Sequence, residues 1–354
     1  ISAMDNNDEK DGYKNNTIAA SYGYKFNDKL KIENNFRASD AYSQYDTIED
    51  KGVAAEDSDE LHQLEFSGSS ALIYKPNEKF TNRLIFSKFN IERVANTYDD
   101  GQDDYRGYRK SLTYNGNYNF NLDSSVVFGL DMEFDEIDYN EGLSQTKTRK
   151  EGFQTNSSYV DYQKRFTKNL YATFGARLDE HSLVGREDSQ RVTLAYLFDD
   201  KTTKLKGSYG TGFRFPSLYE AYYVYAAHPE TRGILEAEKS RGFDFGFEKT
   251  YSDLGLNLDL TYFNLKYEDA LEGWSGNTLN SPTWGSATYN SPSETRSQGL
   301  ELLSKWKFNN ALNFDFNYTY TSTYDGAEQD DPNKNSDYYN SQMVRVPRHF
   351  FNLA

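Results

Sequence analysis

The sequence predicts an all-β fold, a transmembrane antiparallel up-and-down β-barrel, and three observations support that prediction. Apolar and polar residues alternate with period two along most of the chain, the pattern of strands with two unlike faces. Short turns and long polar segments alternate as the connections between these strands. Aromatic residues make up 16% of the chain although hydrophobic residues total only 36%, so a thick soluble core is hard to build.

The alternation predicts fourteen strands and a shorter one at the end of the chain. It is clearest where one face carries Leu312, Phe314, Phe316, Tyr318 and Tyr320, and weakest between residues 153 and 166. A Lys or Arg facing lipid costs about 2 to 4 kcal/mol at the membrane midplane. The polar face is therefore predicted to point inward, with Arg37, Asp131, Arg177, Asp244 and Asp259.

The connections between strands fall into two kinds. Brief turns contain Asn27-Asp28, Pro76-Asn77, Asn121 to Asp123, Thr167 to Asn169, Asp199 to Thr203, Ser252-Asp253 and Asn309-Asn310. Long polar segments cover roughly 40–59, 93–105, 140–152, 181–190, 213–240, 269–295 and 324–346. In an up-and-down sheet all the turns lie at one edge and all the long segments at the other, which is typical of outer-membrane barrels. For one or two strands alone, the alternation would favour a soluble β-sandwich.

Composition excludes several other classes of protein. The net charge of -16 argues against nucleic-acid binding, which needs a basic surface. The absence of Cys excludes disulfides and thiolate sites. Disorder is the usual interpretation of low hydrophobicity with high charge, but disordered chains lack this aromatic content and period. Ile1 opens on an acidic segment and Ala354 ends a strand-like run, so we expect an internal piece of a longer chain.

Three stretches of the sequence resemble a known family. They are GSYGTGFRFPSLYEAYY (residues 207–223), EKSRGFDFGFE (238–248) and TRSQGLELLSKWKF (295–308). Together they resemble the barrel of TonB-dependent outer-membrane receptors. Ile1-Ser2-Ala3, followed by the Asp-rich segment 4–16, is similar to the vitamin B12 (cobalamin) receptor branch of that family.

This resemblance implies a barrel of 22 strands with an N-terminal plug, of which residues 1–354 would form one partial barrel domain. It implies a monomer in the lipid of the bacterial outer membrane that takes up a large scarce solute with energy from the TonB complex, received through the plug. Cobalamin or a related corrinoid is the first expected ligand, and a ferric siderophore or another metal chelate is the second. A passive porin-like channel and a structural or adhesin barrel are the alternatives from other classes.

The long segments 213–240 and 269–295 contain the residues expected to bind ligand. These residues are Tyr219, Tyr222, Tyr223, Tyr225, Trp274 and Trp284. Large amphipathic rings bury area at low entropic cost, which suits ligand capture. The alternative is an aromatic girdle at the membrane interface. In the first segment the family's usual Asn-Pro is replaced by His228-Pro229, followed by an insertion over 230–234, so the resemblance leaves the ligand class open.

Acidic residues near the first strands suggest calcium, with carboxylates from Asp5, Asp8, Asp11, Asp99 and Asp100. Ca²⁺ takes several oxygen ligands, and the resemblance to cobalamin receptors implies that such ions order the early extracellular loops. A solvated acidic surface is the alternative interpretation.

No enzyme is expected. The four histidines, His62, His181, His228 and His349, are scattered, without the spacing of a metal site or a catalytic motif. Exposed carboxylate pairs lack the dry pocket that separates the pKa values of a catalytic acid and base.

Overall fold

The computed structural model describes residues 12–45, 59–97, 101–140, 149–223, 235–277, 284–291, 294–325, 342–343 and 345–354. These residues form seventeen strands. The strands are β1 (Tyr13–Lys25), β2 (Leu30–Tyr45), β3 (Asp59–Asn77), β4 (Phe80–Thr97), β5 (Gly101–Asn121), β6 (Ser124–Asn140), β7 (Arg149–Arg165), β8 (Leu170–His181), β9 (Gly185–Leu197), β10 (Thr203–Arg214), β11 (Glu238–Tyr251), β12 (Leu256–Glu268), β13 (Leu271–Asn277), β14 (Trp284–Asn290), β15 (Thr295–Lys307), β16 (Asn313–Asp325) and β17 (His349–Leu353).

Fifteen of the strands form one sheet, in which β1 to β12, β15, β16 and β17 follow each other in chain order. Every pair whose register is described is antiparallel, so the sheet is up-and-down, as the sequence predicts. Strands β13 and β14 pair separately as a hairpin. Among the described residues, no helix has the length and apolar character needed to cross a membrane.

Strands extend into several of the predicted long segments, and two of these predictions are wrong over much of their length. Residues 181–190 were expected to form a long segment, but β8 ends at His181 and β9 begins at Gly185. Gly185 has a φ of 94°, a left-handed conformation that favours glycine and closes this hairpin in few residues. The segment 269–295, predicted as a long polar connection, contains the β13–β14 hairpin.

The short turns follow a common plan, in which a side-chain oxygen accepts hydrogen bonds from backbone N–H groups two and three residues later. In the first turn, Asn27 Oδ1 lies 2.8 Å from the N–H nitrogen of Lys29 and 3.0 Å from that of Leu30. The same arrangement occurs at Asn77, Thr167, Asp200 and Asn309. These short polar side chains satisfy backbone donors that a tight turn leaves unpaired, which confirms the predicted turn chemistry.

Residue contacts divide the chain into two units. The first comprises Ile1–Asn117 and Gly129–Ser157, and the second Tyr118–Phe128 and Ser158–Ala354. In the first unit, the register places Tyr24, Ile32, Leu72 and Leu84 in one apolar row. In the same unit, Arg109 of β5 forms an ion pair with Asp135 of β6.

In the second unit, strand register produces two unlike faces. Directly paired residues share a face. One apolar row crosses eight strands through Leu170, Tyr196, Leu205, Phe247, Leu260, Leu302, Tyr318 and Phe351. Side chains of this face are widely exposed, Phe245 by 56% and Leu194 by 50%. An apolar surface of this extent suits lipid rather than water.

The opposite face of the second unit is polar. It carries Arg177, Asp244 and Asp259, three of the residues predicted to point inward. Asp259 forms an ion pair with Lys206 of β10, Asp244 accepts a hydrogen bond from Ser208, and Arg177 bonds Asp179 at 2.9 Å. These three charged groups are thus bound by polar or charged neighbours, away from the apolar face.

The two faces should respond differently to a new charge. We expect Leu302→Arg, on the apolar face, to lower the free energy of unfolding by about 2 to 4 kcal/mol. Thr319→Arg, on the polar face beside Glu301, should change it by less than about 1 kcal/mol. Urea unfolding of the full-length protein in lipid vesicles measures both values. Equal losses in the two variants would contradict the assignment of the faces.

Candidate functional site

A group of buried residues lies at the edge of the second unit where β10 ends and β11 begins, opposite the short turns. His181, Ala221, Ala237 and Ser291 are each exposed by 4% or less. They come from segments that are far apart in the sequence. We name these segments the loop platform and define it as residues 181–185, 214–223, 235–238, 269–271 and 290–291.

Arg214, the last residue of β10, connects three parts of the loop platform. Its guanidinium binds both carboxylate oxygens of Glu220, at 2.9 and 3.1 Å. It also donates to Glu238, the first residue of β11, at 3.3 Å. Glu238 in turn accepts a hydrogen bond from the backbone N–H of Leu271, where β13 begins. Charge-assisted hydrogen bonds are stronger than neutral ones. Arg214 therefore holds the segment that follows β10 close to the starts of β11 and β13.

Glu220 and Ser217 form a capping box at the start of a short π-helical turn, Tyr219–Tyr223. The backbone N–H of Ser217 donates to Glu220 Oε2 at 2.7 Å, and the backbone N–H of Glu220 donates to Ser217 Oγ at 3.1 Å. This reciprocal pairing satisfies two donors that a helical turn otherwise leaves free. The position of the tyrosines in this turn therefore depends on Ser217 and Glu220.

The ionisation of Glu220 follows from the same contacts. Burial opposes the charged form, but the hydrogen bonds from Arg214 and from the backbone and side chain of Ser217 outweigh it and lower the pKa of Glu220. The carboxylate is thus charged at neutral pH, as its hydrogen bonds with Arg214 require.

His181 packs against the segment that leaves β10. Its ring stacks on Phe215 with the ring centres 4.5 Å apart, and Phe215 contacts Phe213 at 5.0 Å. His181 Nδ1 accepts hydrogen bonds from the backbone N–H groups of Leu183 and Val184. Sequence analysis treated His181 only as a scattered histidine, whereas the structure gives it a place in the core of the loop platform.

Asn290 joins the base of the β13–β14 hairpin to the segment before β11. Its Oδ1 accepts from the backbone N–H of Glu236 at 2.8 Å. Its Nδ2 donates to the carbonyl of Glu236 at 3.0 Å and to that of Asp269 at 2.8 Å. One side chain thereby replaces backbone pairing between two segments that are 54 residues apart.

The structure describes several of the residues predicted to bind ligand. Tyr219, Tyr222 and Tyr223 lie in the π-helical turn, and Tyr219 is 48% exposed. Trp274 pairs with Ala287, and Trp284 with Asn277, in the β13–β14 hairpin. Because Arg214 and Glu238 connect the turn to the start of β13, the platform holds the bases of both predicted ligand-binding segments together.

The other predicted site residues lie outside the described part of the chain. They are Tyr225, Asp5, Asp8, Asp11, Asp99 and Asp100. The calcium site therefore stays a prediction. Within the described ranges, no group of three or more His, Cys, Asp or Glu side chains is arranged to hold a metal ion.

Sequence reasoning missed the polar residues that build the loop platform, namely Arg214, Ser217, Glu220, Glu238 and Asn290. The spacing Ser-x-x-Glu at 217–220 was an available signal for a helical start. No comparable local signal existed for Arg214 with Glu238 or for Asn290 with Glu236, because these partners come together only through the register of the strands.

Comparison with known proteins identifies the family. Residues 2–354 match the family model described as TonB dependent receptor-like, beta-barrel. The chain belongs to this family. TonB-dependent receptor barrels are proteins of the bacterial outer membrane, and the family is not one of enzymes, so the predicted fold class and location are confirmed.

Solved structures of TonB-dependent receptors share the fold at low sequence identity. The siderophore receptor PirA from Acinetobacter baumannii is 15% identical, with a TM-score of 0.71 over 97% of this chain and 56% of that one. The alcaligin receptor FauA from Bordetella pertussis is 13% identical, with a TM-score of 0.69 over 96% and 56%. A variant of the ferric enterobactin receptor PfeA from Pseudomonas aeruginosa, in complex with enterobactin, is 15% identical, with a TM-score of 0.71 over 97% and 55%.

This receptor-like chain thus spans just over half the length of those solved receptors. No curated protein matches its sequence significantly. The comparisons give no support for the cobalamin branch, so the sequence resemblance to that branch remains a prediction.

Arg214→Gln should loosen the π-helical turn. Loss of a hydrogen bond between charged groups costs about 1.5 to 3 kcal/mol, so the opening equilibrium of residues 217–223 should rise about tenfold or more. Hydrogen exchange of the full-length protein measures this change. Arg186→Gln is the matched control, because Arg186 is an exposed cation of the adjacent hairpin without an ion pair among the described residues. Equal exchange in both variants would contradict the role of Arg214.

The same turn should respond to pH through Glu220. Because folding lowers the pKa of this carboxyl, its contribution to stability is present above the ordinary value of 4.5 and is lost as the pH falls through the lowered value. Exchange protection factors of residues 217–223 should drop across that range in the wild-type protein. In Glu220→Gln they should already be low at pH 7 and change little on acidification; a parallel drop in both proteins would show that another group titrates.

Proposed function

We propose that this chain forms the wall and the outer loops of a transporter that takes up a large metal chelate with energy from the TonB complex. The observation that carries the proposal is the loop platform, which fixes the bases of two long aromatic segments at one edge of the sheet. A binding surface gains affinity when its parts are held in place before the ligand arrives. Energy would reach this barrel through a plug domain of the same protein, as in the family the chain resembles.

Two classes of metal chelate are proposed as the ligand, ferric siderophores and corrinoids. The names of PirA, FauA and PfeA make ferric siderophores the first class to test, although identities of 13 to 15% establish the fold alone. The Asp-rich segment 4–16 supports a corrinoid instead. Both ligands are bulky metal chelates, and exposed tyrosine rings such as that of Tyr219 suit such surfaces.

Uptake by the full-length protein, expressed in cells without competing receptors, tests the function. We expect cells to accumulate either radiolabelled iron supplied as a ferric siderophore or radiolabelled cobalamin, and to lose that uptake when TonB is deleted. Binding of each ligand with and without a calcium chelator tests the predicted calcium site at the same time. Arg214→Gln should weaken ligand binding about tenfold or more, whereas Arg186→Gln should leave it unchanged.

A passive channel is the alternative that would overturn the proposal. Liposomes containing the full-length protein should not swell in solutions of small sugars if a plug closes the barrel. Steady swelling, together with uptake that persists without TonB, would instead identify a diffusion channel.

A further inference from the structure

Three cations lie side by side on the outer, apolar face of the second unit. Arg241 of β11 pairs directly with Lys266 of β12, and Lys266 pairs directly with Arg296 of β15. Directly paired residues share a face. The same face carries three apolar side chains nearer the middle of these strands. Phe243 lies two residues from Arg241 on β11, Tyr262 four residues from Lys266 on β12, and Leu300 four residues from Arg296 on β15. The cations therefore point toward the surroundings of the sheet rather than toward its polar face.

The distance of the three cations from the apolar side chains, measured along the strands, places them at the level of lipid headgroups. Two residues advance a strand by about 6.7 Å, or about 5 Å in height at a tilt of ~40°. Arg241 is one such step above Phe243. Lys266 and Arg296 are two steps above Tyr262 and Leu300, and the amide side chains of Asn264 and Gln298, which bond each other at 3.1 Å, lie between. From the middle of the strands toward their ends, an apolar row is followed by an amide row and then by the cationic row. This order matches the change from acyl chains to headgroups in a lipid leaflet.

Two carboxylates on the same face partly neutralise the cations. Glu268 binds Lys266 at 2.8 Å and Arg241 at 3.2 Å, and Glu294 forms ion pairs with Lys266 and Arg296. The five groups carry one net positive charge in a chain whose total charge is -16. Lys266, exposed by 16%, lies between both carboxylates, whereas the side chains of Arg241 and Arg296 are 53% and 58% exposed.

The free part of each arginine indicates what it could bind. Arg241 contacts Glu268 through one terminal nitrogen, and Arg296 contacts Glu294 through Nε. The remaining N–H groups of these two side chains have no described partner. A planar guanidinium with free N–H groups binds phosphate oxygens in a bidentate manner. The two arginines thus present phosphate donors at either end of the row.

We propose that Arg241, Lys266 and Arg296 bind the phosphate of a phosphorylated glycolipid in the outer leaflet of the outer membrane. Its acyl chains would lie along Phe243, Tyr262 and Leu300, and its phosphate would bridge the exposed guanidinium groups of Arg241 and Arg296. The lipid would fasten the upper ends of β11, β12 and β15, the strands adjoining the loop platform. This site is independent of the ligand taken up by the transporter.

The competing explanation is an ion-pair ladder that only fastens strand ends. The two explanations predict opposite effects of removing the acids. If the row binds phosphate, Arg241→Gln/Arg296→Gln should weaken lipid binding about tenfold or more, while Glu268→Gln/Glu294→Gln should strengthen it. A ladder alone predicts that both double variants unfold at a lower temperature and that neither changes lipid selectivity.

Native mass spectrometry of the detergent-solubilised full-length protein measures this binding. The probes are lipid A with two phosphates, dephosphorylated lipid A, phosphatidylglycerol and inorganic phosphate. We expect selective binding of the phosphorylated lipid A that the arginine variant loses, with folding checked by the thermal transition of each variant. Arg37→Gln/Arg191→Gln, which removes two cations of the opposite face, is the control and should keep wild-type binding.

Three results would overturn the proposal. Equal binding of lipid A with and without phosphate would show that only the acyl chains are recognised. Equal binding of phosphatidylglycerol or inorganic phosphate would show a general anion effect. Unchanged binding in a folded arginine variant would remove the residues from the site.

Discussion

Backbone hydrogen bonding is the constraint on which the rest of this structure depends. Lipid offers no partner to an N–H or C=O group, so a strand that crosses a membrane must pair along its whole length with neighbouring strands. In the described residues, the thirteen strands between β1 and β17 in the sheet have a partner on both sides, because each hairpin supplies the next partner. Period-two alternation then follows, since one side of every strand contacts lipid and the other does not.

The same constraint leaves only one edge of the sheet for a binding surface. Strand faces in the lipid must be apolar, and the turns that close the hairpins are short and capped by residues such as Asn27 and Asp200. Only the opposite edge has enough chain to build a binding surface. There the loop platform uses ion pairs and a side-chain amide, with Arg214 and Asn290 joining segments that the sheet brings together. A sheet with little interior of its own thus gains a small rigid core beside the aromatic segments.

The fold could be predicted from the sequence because alternation is imposed by lipid. Tyr318 and Phe316 differ from their neighbours Asn317 and Thr319 for that reason alone. Above the membrane both faces of a strand are exposed to water, so apolar and polar residues no longer alternate. The start of β5, with Asp103, Asp104 and Tyr105, lies in the predicted segment 93–105 although it is strand. For the same reason the β13–β14 hairpin, rich in Gly, Ser and Thr, was predicted as a loop.

The loop platform could be predicted only in part. The aromatic residues were visible in the sequence, because tyrosines are conspicuous in polar segments. Their supports were not, since Glu238 finds Arg214 only after β10 and β11 have paired, and that pairing is set by the register of the whole sheet. The capping box at Ser217 and Glu220 was the exception, since its two partners are neighbours in the sequence and no long-range pairing is needed to recognise it.

Labelling of single cysteines in intact cells tests the central claim most directly, and the chain has no native Cys to interfere. The claim is that the strands cross the outer membrane with the loop platform outside and the short turns inside. A membrane-impermeant maleimide should label Ser182→Cys, in the β8–β9 hairpin of the platform, in intact cells. It should label Asn310→Cys, in the turn between β15 and β16, only after the outer membrane is permeabilised. Labelling of Asn310→Cys in intact cells with Ser182→Cys protected would contradict the orientation, and equal labelling of both would contradict the membrane span itself.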